Sequence, residues 1–400
     1  MADLFWPGDE RAGSVLDARS LLRSLVEVEE LWLGALVRAG VAPAEAGGPL
    51  DDLLGEDDLQ VVARRAEASG NPVVPVVALL RDRLADERPE AARWLHRGLT
   101  SQDVLDTAIV GGAAAAQEVL SKQLDGLVRL LLDLVEAHRD DVMAGRTLTQ
   151  HAVPVTFGLK AAGWLSGVLD ARADLRTLRF PVQVGGAAGT RAAIAELGDP
   201  DALVADLAES LELEPTLPWH TVRTTLTRYA DTLVRTTDAL GHLANDVLVL
   251  ARPEIGELTE PTGQGRGGSS TMPQKANPVL SVLIRRAALS APLLAAQLHV
   301  AAADQVDERA AGGWHTEWSA LSQLSRHTLT AASHAGDLLT GLHVDTARMA
   351  ENLGLDDLLA EQRSIADLTG APHRTDPSTY LGATSVIIDR VLARAAEEQQ

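Results

Sequence analysis

Five segments of this chain, residues 114–141, 155–178, 228–251, 279–303 and 316–341, carry apolar residues at helical spacing for longer than a typical globular helix runs. Leu124, Leu127, Val128, Leu131, Leu134 and Val135 fall on one stripe, and Leu233, Thr237, Leu240, Ala244 and Val247 on another. No alternating strand pattern is comparably long. The spacing therefore predicts an all-α fold in which long antiparallel helices form a bundle. Ahead of it, Leu21, Leu22, Leu25, Val28, Leu31 and Trp32 give one buried stripe in an N-terminal helical lobe. After residue 341 come a short amphipathic segment, a turn around Pro372 and Pro377, and a last helix from about Tyr380. The expected domains are 1–103, 104–341 and 342–400.

Composition narrows the function. A formal charge of -21 argues against nucleic acid, because phosphate binding needs a basic face. A basic pocket inside an acidic shell stays open, so an anionic substrate is compatible with that charge. No run of eighteen charge-free apolar residues occurs, and no basic segment followed by an apolar one opens the chain, so no membrane segment is expected and the cytoplasm is the expected location. Zero cysteines leave Ser, His, Lys and carboxylates as the chemical candidates. With no His-x-x-x-His pair and no clustered carboxylates, neither a metal nor another cofactor is expected.

Polar groups concentrate in a few places. Thr100, Ser101, Gln102 and Asp103 precede an alanine-rich helix, where a hydroxyl either caps free amides or helps receive an anion. Gly145 to Pro154, with Thr147, Gln150 and His151, lies at an expected corner between two long helices. The run Gln183 to Thr190 has no strand before it and does not make a dinucleotide site. Beyond it, Arg223 has two open readings, a pair with Asp231 on a helix face or a reach to a substrate carboxylate. Residues 262–278 combine glycines with Ser269, Ser270, Lys275 and Asn277, a mixture suited to a mobile loop that handles a carboxylate. Arg309 and His315 interrupt an apolar stretch, where a buried cation must pair or face a cavity.

Taken together, Thr100-Ser101-Gln102-Asp103, the Gly145–Pro154 corner and the Gly268–Pro278 loop resemble the fumarase/aspartase superfamily in order and spacing, over nearly the whole chain. The resemblance implies a homotetramer whose central domains pool their helices into one bundle, with each active site shared between three subunits. It also implies a di- or tricarboxylate substrate, proton removal next to a carboxylate, and departure of a group from the β carbon. In detail the clusters look most like the bacterial 3-carboxy-cis,cis-muconate cycloisomerase branch. Leu148 discriminates, because fumarases, argininosuccinate lyases and adenylosuccinate lyases carry a Thr-His pair where this chain has Thr147-Leu148. His151, one turn further if the corner is helical, would then approach the same cavity from a shifted angle.

On that resemblance Ser269 transfers the proton, with Ser270 and loop N–H groups easing its alkoxide form. Lys275 and Asn277 hold a substrate carboxylate, and Thr100, Ser101, Gln102, Thr147, Gln150 and Arg223 complete the binding set. Two features depart from the cycloisomerase branch: the short lobe between about 355 and 380, and Arg223-Thr224 where an Arg-Asp pattern is expected. The alternative is another superfamily lyase on a substituted succinate, such as adenylosuccinate lyase or a biosynthetic C–N lyase. A catalytically silent structural protein is the reading from a different class.

Overall fold

A computed structural model describes residues 4–261, 266–268, 271–272 and 275–398. The expected all-helical architecture is present. In chain order the elements are α1 (Ala18–Arg38), α2 (Leu59–Ser69), α3 (Val73–Leu84), α4 (Pro89–Trp94), α5 (Ser101–Ala137), β1 (Val142–Thr147), β2 (Gln150–Thr156), α6 (Phe157–Arg176), α7 (Ala192–Ala195), α8 (Pro200–Ser210) and α9 (Thr224–Leu250). There follow β3 (Leu258–Thr259), α10 (Val279–Ala303), α11 (Gly313–Thr340), β4 (His343–Val344), α12 (Thr346–Leu353), α13 (Ala360–Thr369) and α14 (Thr384–Glu397). The five long apolar segments are α5, α6, α9, α10 and α11.

Contacts divide the chain into two compact units, each assembled from three separated segments. The first comprises Met1–Val119, Thr177–Leu233 and Pro292–Leu329, and the second Leu120–Arg176, Val234–Ala291 and Thr330–Gln400. In the first, Asp17 caps α1 by accepting from Ser20 N at 2.8 Å, and α1 buries Leu22, Leu25, Trp32, Leu33 and Leu36 on one face. Trp32 satisfies its indole N–H on Arg97 O at 2.7 Å, so its full burial leaves no polar atom stranded. In the second, Phe157 and Trp164 pack edge to face with centroids 5.7 Å apart, and Trp164 Nε1 donates to Asp246 at 2.8 Å. Arg172 pairs with Glu398 at 3.0 Å, and Arg394 with Asp170 at 2.7 Å, tying α14 to α6.

The Gly145–Pro154 corner lies between α5 and α6 as expected, and the condition that it be helical is not met: it is a β-hairpin, with β1 and β2 antiparallel and Thr147 opposite Gln150. Leu148 and Thr149 form the two-residue turn with φ of 50° and 71°, the left-handed geometry that matches strand twist but favours Asn-Gly. Gly145 is required by close approach, since an added Cβ would stand 2.6 Å from Val153 O. His151 is therefore not one helical turn beyond Leu148. It faces Arg146 across the ladder, while Leu148 projects from the tip, 96% exposed.

Candidate active site

Thr100 stands just before α5, and its N–H donates to Asp103 Oδ2 at 3.0 Å, the half of a capping box that ties the third helical residue back to the cap. Asp103 is buried and receives four further donors: Gly185 N at 2.8 Å, Gly186 N at 2.9 Å, His220 Nε2 at 2.8 Å and Gln183 Nε2 at 3.4 Å. The Gln183–Thr190 turn is thus folded onto the start of α5 by a carboxylate. Gln102 is also fully buried. Its Nε2 donates to Asp106 at 3.1 Å and to His220 O at 2.9 Å, so both amide N–H groups are spent inside the protein, whereas Ser101 stays half-buried at the first helical position.

Arg223 takes neither role expected for it. Its Nη1 and Nη2 clasp Asp106 at 2.7 and 3.0 Å, its Nε and Nη2 clasp Glu317 at 3.0 and 2.6 Å, and Trp314 Nε1 adds a bond to Asp106 at 2.9 Å. Asp231 is paired with His299 instead. Burial alone would lower the Arg223 pKa, but Asp106 and Glu317 outweigh it and hold the guanidinium charged. Burial raises the Glu317 carboxyl above its ordinary range, and Arg223 offsets only part of that. With every donor engaged, Arg223 is a structural cation. The sequence conceals this because Asp106 and Glu317 lie far from it along the chain.

In the second unit the hairpin wall and the ends of α6 and α9 enclose a cavity of about 710 Å³, lined by Arg146, Thr147, His151, Lys160, Asp246 and Arg252 among others. Gln150 is exposed, its Nε2 donates to Thr149 Oγ1 at 3.2 Å, and it does not line the cavity. His151 Nδ1 lies 2.8 Å from Asp356 Oδ2, off the line a good hydrogen bond needs. Sequence reasoning missed Glu257, which is fully buried, receives Arg146 in two parallel bonds at 2.6 and 2.9 Å, and accepts from Asn352 Nδ2 at 2.7 Å. This fork anchors the hairpin that carries Thr147 and His151.

The glycine-rich loop is tied at both ends. Glu260 accepts from Leu280 N at 2.9 Å and Ser281 N at 2.8 Å, placing a carboxylate on the start of α10. Asn277 donates from its backbone and from Nδ2 to Gly267 O, at 2.9 and 3.1 Å. Gly267 has φ of 73°, and a Cβ there would meet Asn277 O at 2.7 Å. Asn277 is thus a loop clasp, and the Lys275 side chain is exposed. Ser269 and Ser270 lie outside the described residues. Among the described residues, no group of three or more His and carboxylate side chains is placed to hold a metal.

The lyase family model matches residues 53–292 of the chain. The chain belongs to the fumarase/aspartase superfamily. It is an enzyme of that superfamily's lyase and cycloisomerase kind. A nitrosuccinate lyase from Streptomyces davaonensis is 40% identical, over 96% of this chain and 93% of its own length. A 3-carboxy-cis,cis-muconate cycloisomerase from Pseudomonas aeruginosa is 41% identical, over 88% of this chain and 78% of its own length. The crystal structure of the 3-carboxy-cis,cis-muconate lactonizing enzyme from Pseudomonas putida superposes with a TM-score of 0.87 at 29% identity, covering 97% of both chains.

Proposed function

We propose that this superfamily member is a 3-carboxy-cis,cis-muconate cycloisomerase, adding a substrate carboxylate across a double bond to close a lactone. The observation that carries the proposal is the likeness over 97% of both chains to the lactonizing enzyme, joined to Leu148 at the hairpin tip where a proton-transferring histidine is absent. An apolar side chain transfers no proton, and an internal carboxylate nucleophile needs none from that position. In this reading Ser269 delivers the proton at the carbon next to a carboxylate, assisted by Ser270, and His151 approaches from the cavity wall. Lys275, with Asn277, holds the carboxylate on which enolate charge grows, so those donors favour the transition state over the ground state. Thr147 and Ser101 complete the binding surface.

The same reading takes the protein as a homotetramer with domains at 1–103, 104–341 and 342–400 and active sites shared between subunits. Support comes from α10, where Val282, Leu289, Leu293 and Val300 are 52, 65, 73 and 69% exposed at spacings of one and two helical turns along one face. Such a stripe is costly in water and suits further copies of the chain packing on it. That face also explains why α10, with mean hydropathy 1.6 over its most apolar window, is apolar enough by composition to cross a membrane.

A second reading is favoured by one observation. The nitrosuccinate lyase matches over 93% of its length and the cycloisomerase over 78%, in a chain whose terminal lobe is short for the cycloisomerase branch. On nitrosuccinate Ser269 would run the transfer in reverse, removing the proton next to a carboxylate as the C–N bond breaks, with nitrite leaving and an unsaturated diacid remaining. Purified protein incubated with 3-carboxy-cis,cis-muconate should remove the conjugated ultraviolet absorbance. An unchanged spectrum together with nitrite release from nitrosuccinate would replace the first reading by the second.

A further inference from the structure

Both reactions considered above exchange a proton with solution. Closing the lactone forms a C–O bond, moves the double-bond electron pair to the carbon next to another carboxylate, and places a proton on that carbon. Ser269, having given that proton, needs one back. Expelling nitrite from nitrosuccinate runs the other way: the C–H proton goes to Ser269, the C–N electron pair leaves with nitrite, and the proton has then to reach solution. A site that keeps water from such chemistry must pass the proton through its wall.

The wall of the cavity in the second unit carries a pair of groups fitted to this. Arg146 keeps its proton and is held by Glu257. Lys160 and Asp246 are engaged with each other at 3.2 Å, and Asp246 also accepts from Trp164 Nε1 at 2.8 Å. His151 is placed differently. Its ring lines the cavity, yet its Nδ1 is shut off from solvent and lies 2.8 Å from Asp356 Oδ2. Asp356 does not line the cavity, and its side chain is 62% exposed. A carboxylate in water, an imidazole in the wall and the cavity beyond thus follow one another.

Both members are held in place. Asn352 at the end of α12 is buried and donates to Ile255 O at 3.0 Å and Glu257 at 2.7 Å, while Leu358 and Leu359 are buried on the other side of Asp356. Glu257 also grips Arg146, which faces His151 across the ladder. The same carboxylate therefore fixes the backbone on which each member of the pair sits. The misaligned contact at Nδ1 leaves the ring free to turn between its two sides.

We propose that His151 and Asp356 form a proton relay between the cavity and solution, in which His151 carries the proton and Asp356 positions the ring and hands the proton on. The inference rests on the protein's catalysing one of the two reactions above. As imidazolium, His151 gives up a proton on the cavity side and regains one from solution by way of Asp356; with nitrosuccinate the same transfers run backwards.

Steady-state turnover of the full-length protein on 3-carboxy-cis,cis-muconate and on nitrosuccinate, in dilute buffer and with added imidazole, tests the relay. Asp356→Asn should lower kcat about 10-fold and His151→Gln at least about 10²-fold, as expected on losing a positioned proton-transfer group. KM should stay within about threefold of wild type. Rising imidazole should restore the kcat of Asp356→Asn and leave wild type unchanged, because a small carrier in solution replaces the lost one; a merely structural contact has no such rescue. Asp356→Glu should keep kcat within about threefold of wild type. With an active wild type, the relay is overturned if Asp356→Asn turns over within about twofold of it, or if Asp356→Asn is impaired and imidazole restores nothing. A wild type that converts neither substrate refutes both reactions instead, and the relay falls with them.

Discussion

Removing the Arg223 side chain should be among the most damaging single changes in the first unit. Arg223, Asp106 and Glu317 have side chains only 1–2% exposed, and the two ion pairs close at 2.7 and 2.6 Å. Arg223→Met fills much of the volume but strands two buried carboxylates. Breaking one buried pair by deleting a partner costs about 3–5 kcal/mol, and here two acids are left, so the upper part of that range is expected at pH 8. Loss of the cation over Trp219, 4.8 Å from the ring centroid, acts in the same direction. With the cation gone, nothing offsets the burial that already raises the Glu317 carboxyl above its ordinary range. A group with a raised folded pKa contributes its stability below the unfolded value and loses it as pH rises through the folded one, so the deficit should grow between pH 5 and pH 8. Guanidinium unfolding at fixed protein concentration, followed by tryptophan fluorescence, reports directly because Trp219 and Trp314 both touch the cluster. A deficit below about 1 kcal/mol at pH 8, or one independent of pH, would refute the reasoning. The triple variant Arg223→Met, Asp106→Asn, Glu317→Leu should recover most of the loss, since no charge remains stranded.

Ser269→Ala should lower turnover by at least about 10²–10³-fold with an unchanged sedimentation profile, and near-normal turnover would remove Ser269 from the chemistry. Glu257→Ala strands Arg146 and frees the hairpin; a loss of about 3–5 kcal/mol together with reduced kcat is expected, and unaltered unfolding would show that the fork is not an anchor. Replacing the turn residues, Leu148→Asn with Thr149→Gly, should stabilise the protein by about 1 kcal/mol by relieving left-handed backbone, which a thermal melt reads. Burial lowers the His96 pKa but the Glu29 charge, with its 2.6 Å hydrogen bond, more than reverses this, so the folded value stands above about 6.5. The advantage of wild type over Glu29→Gln should be full below that pH and vanish as pH rises through the folded value; a pH-independent difference between their melting temperatures would contradict it.

The long helices were legible because periodicity is a local property, and α10 matches its expected range of 279–303. The hairpin was not. Its strands are six and seven residues long, its turn uses Leu148-Thr149 in place of a recognisable Asn-Gly, and its stability depends on Glu257, 111 residues from Arg146. Of the candidate site, Thr100, Thr147 and His151 lie at polar surfaces or the cavity wall. Gln102 and Arg223 were assigned outward roles and are internal, because residue type alone does not reveal whether a partner 94 or 117 residues away will claim it.

Spacing along the chain determined the helical class, since periodicity depends on residues within a few turns of one another, and the order of three separate motifs determined the superfamily. Tertiary structure decided which charges are neutralised. Arg223 and Arg309 are indistinguishable as residues in a sequence, yet burial against Asp106 and Glu317 makes one a structural cation. Arg309 meets no counter-ion among the described residues and donates to Thr100 Oγ1 instead.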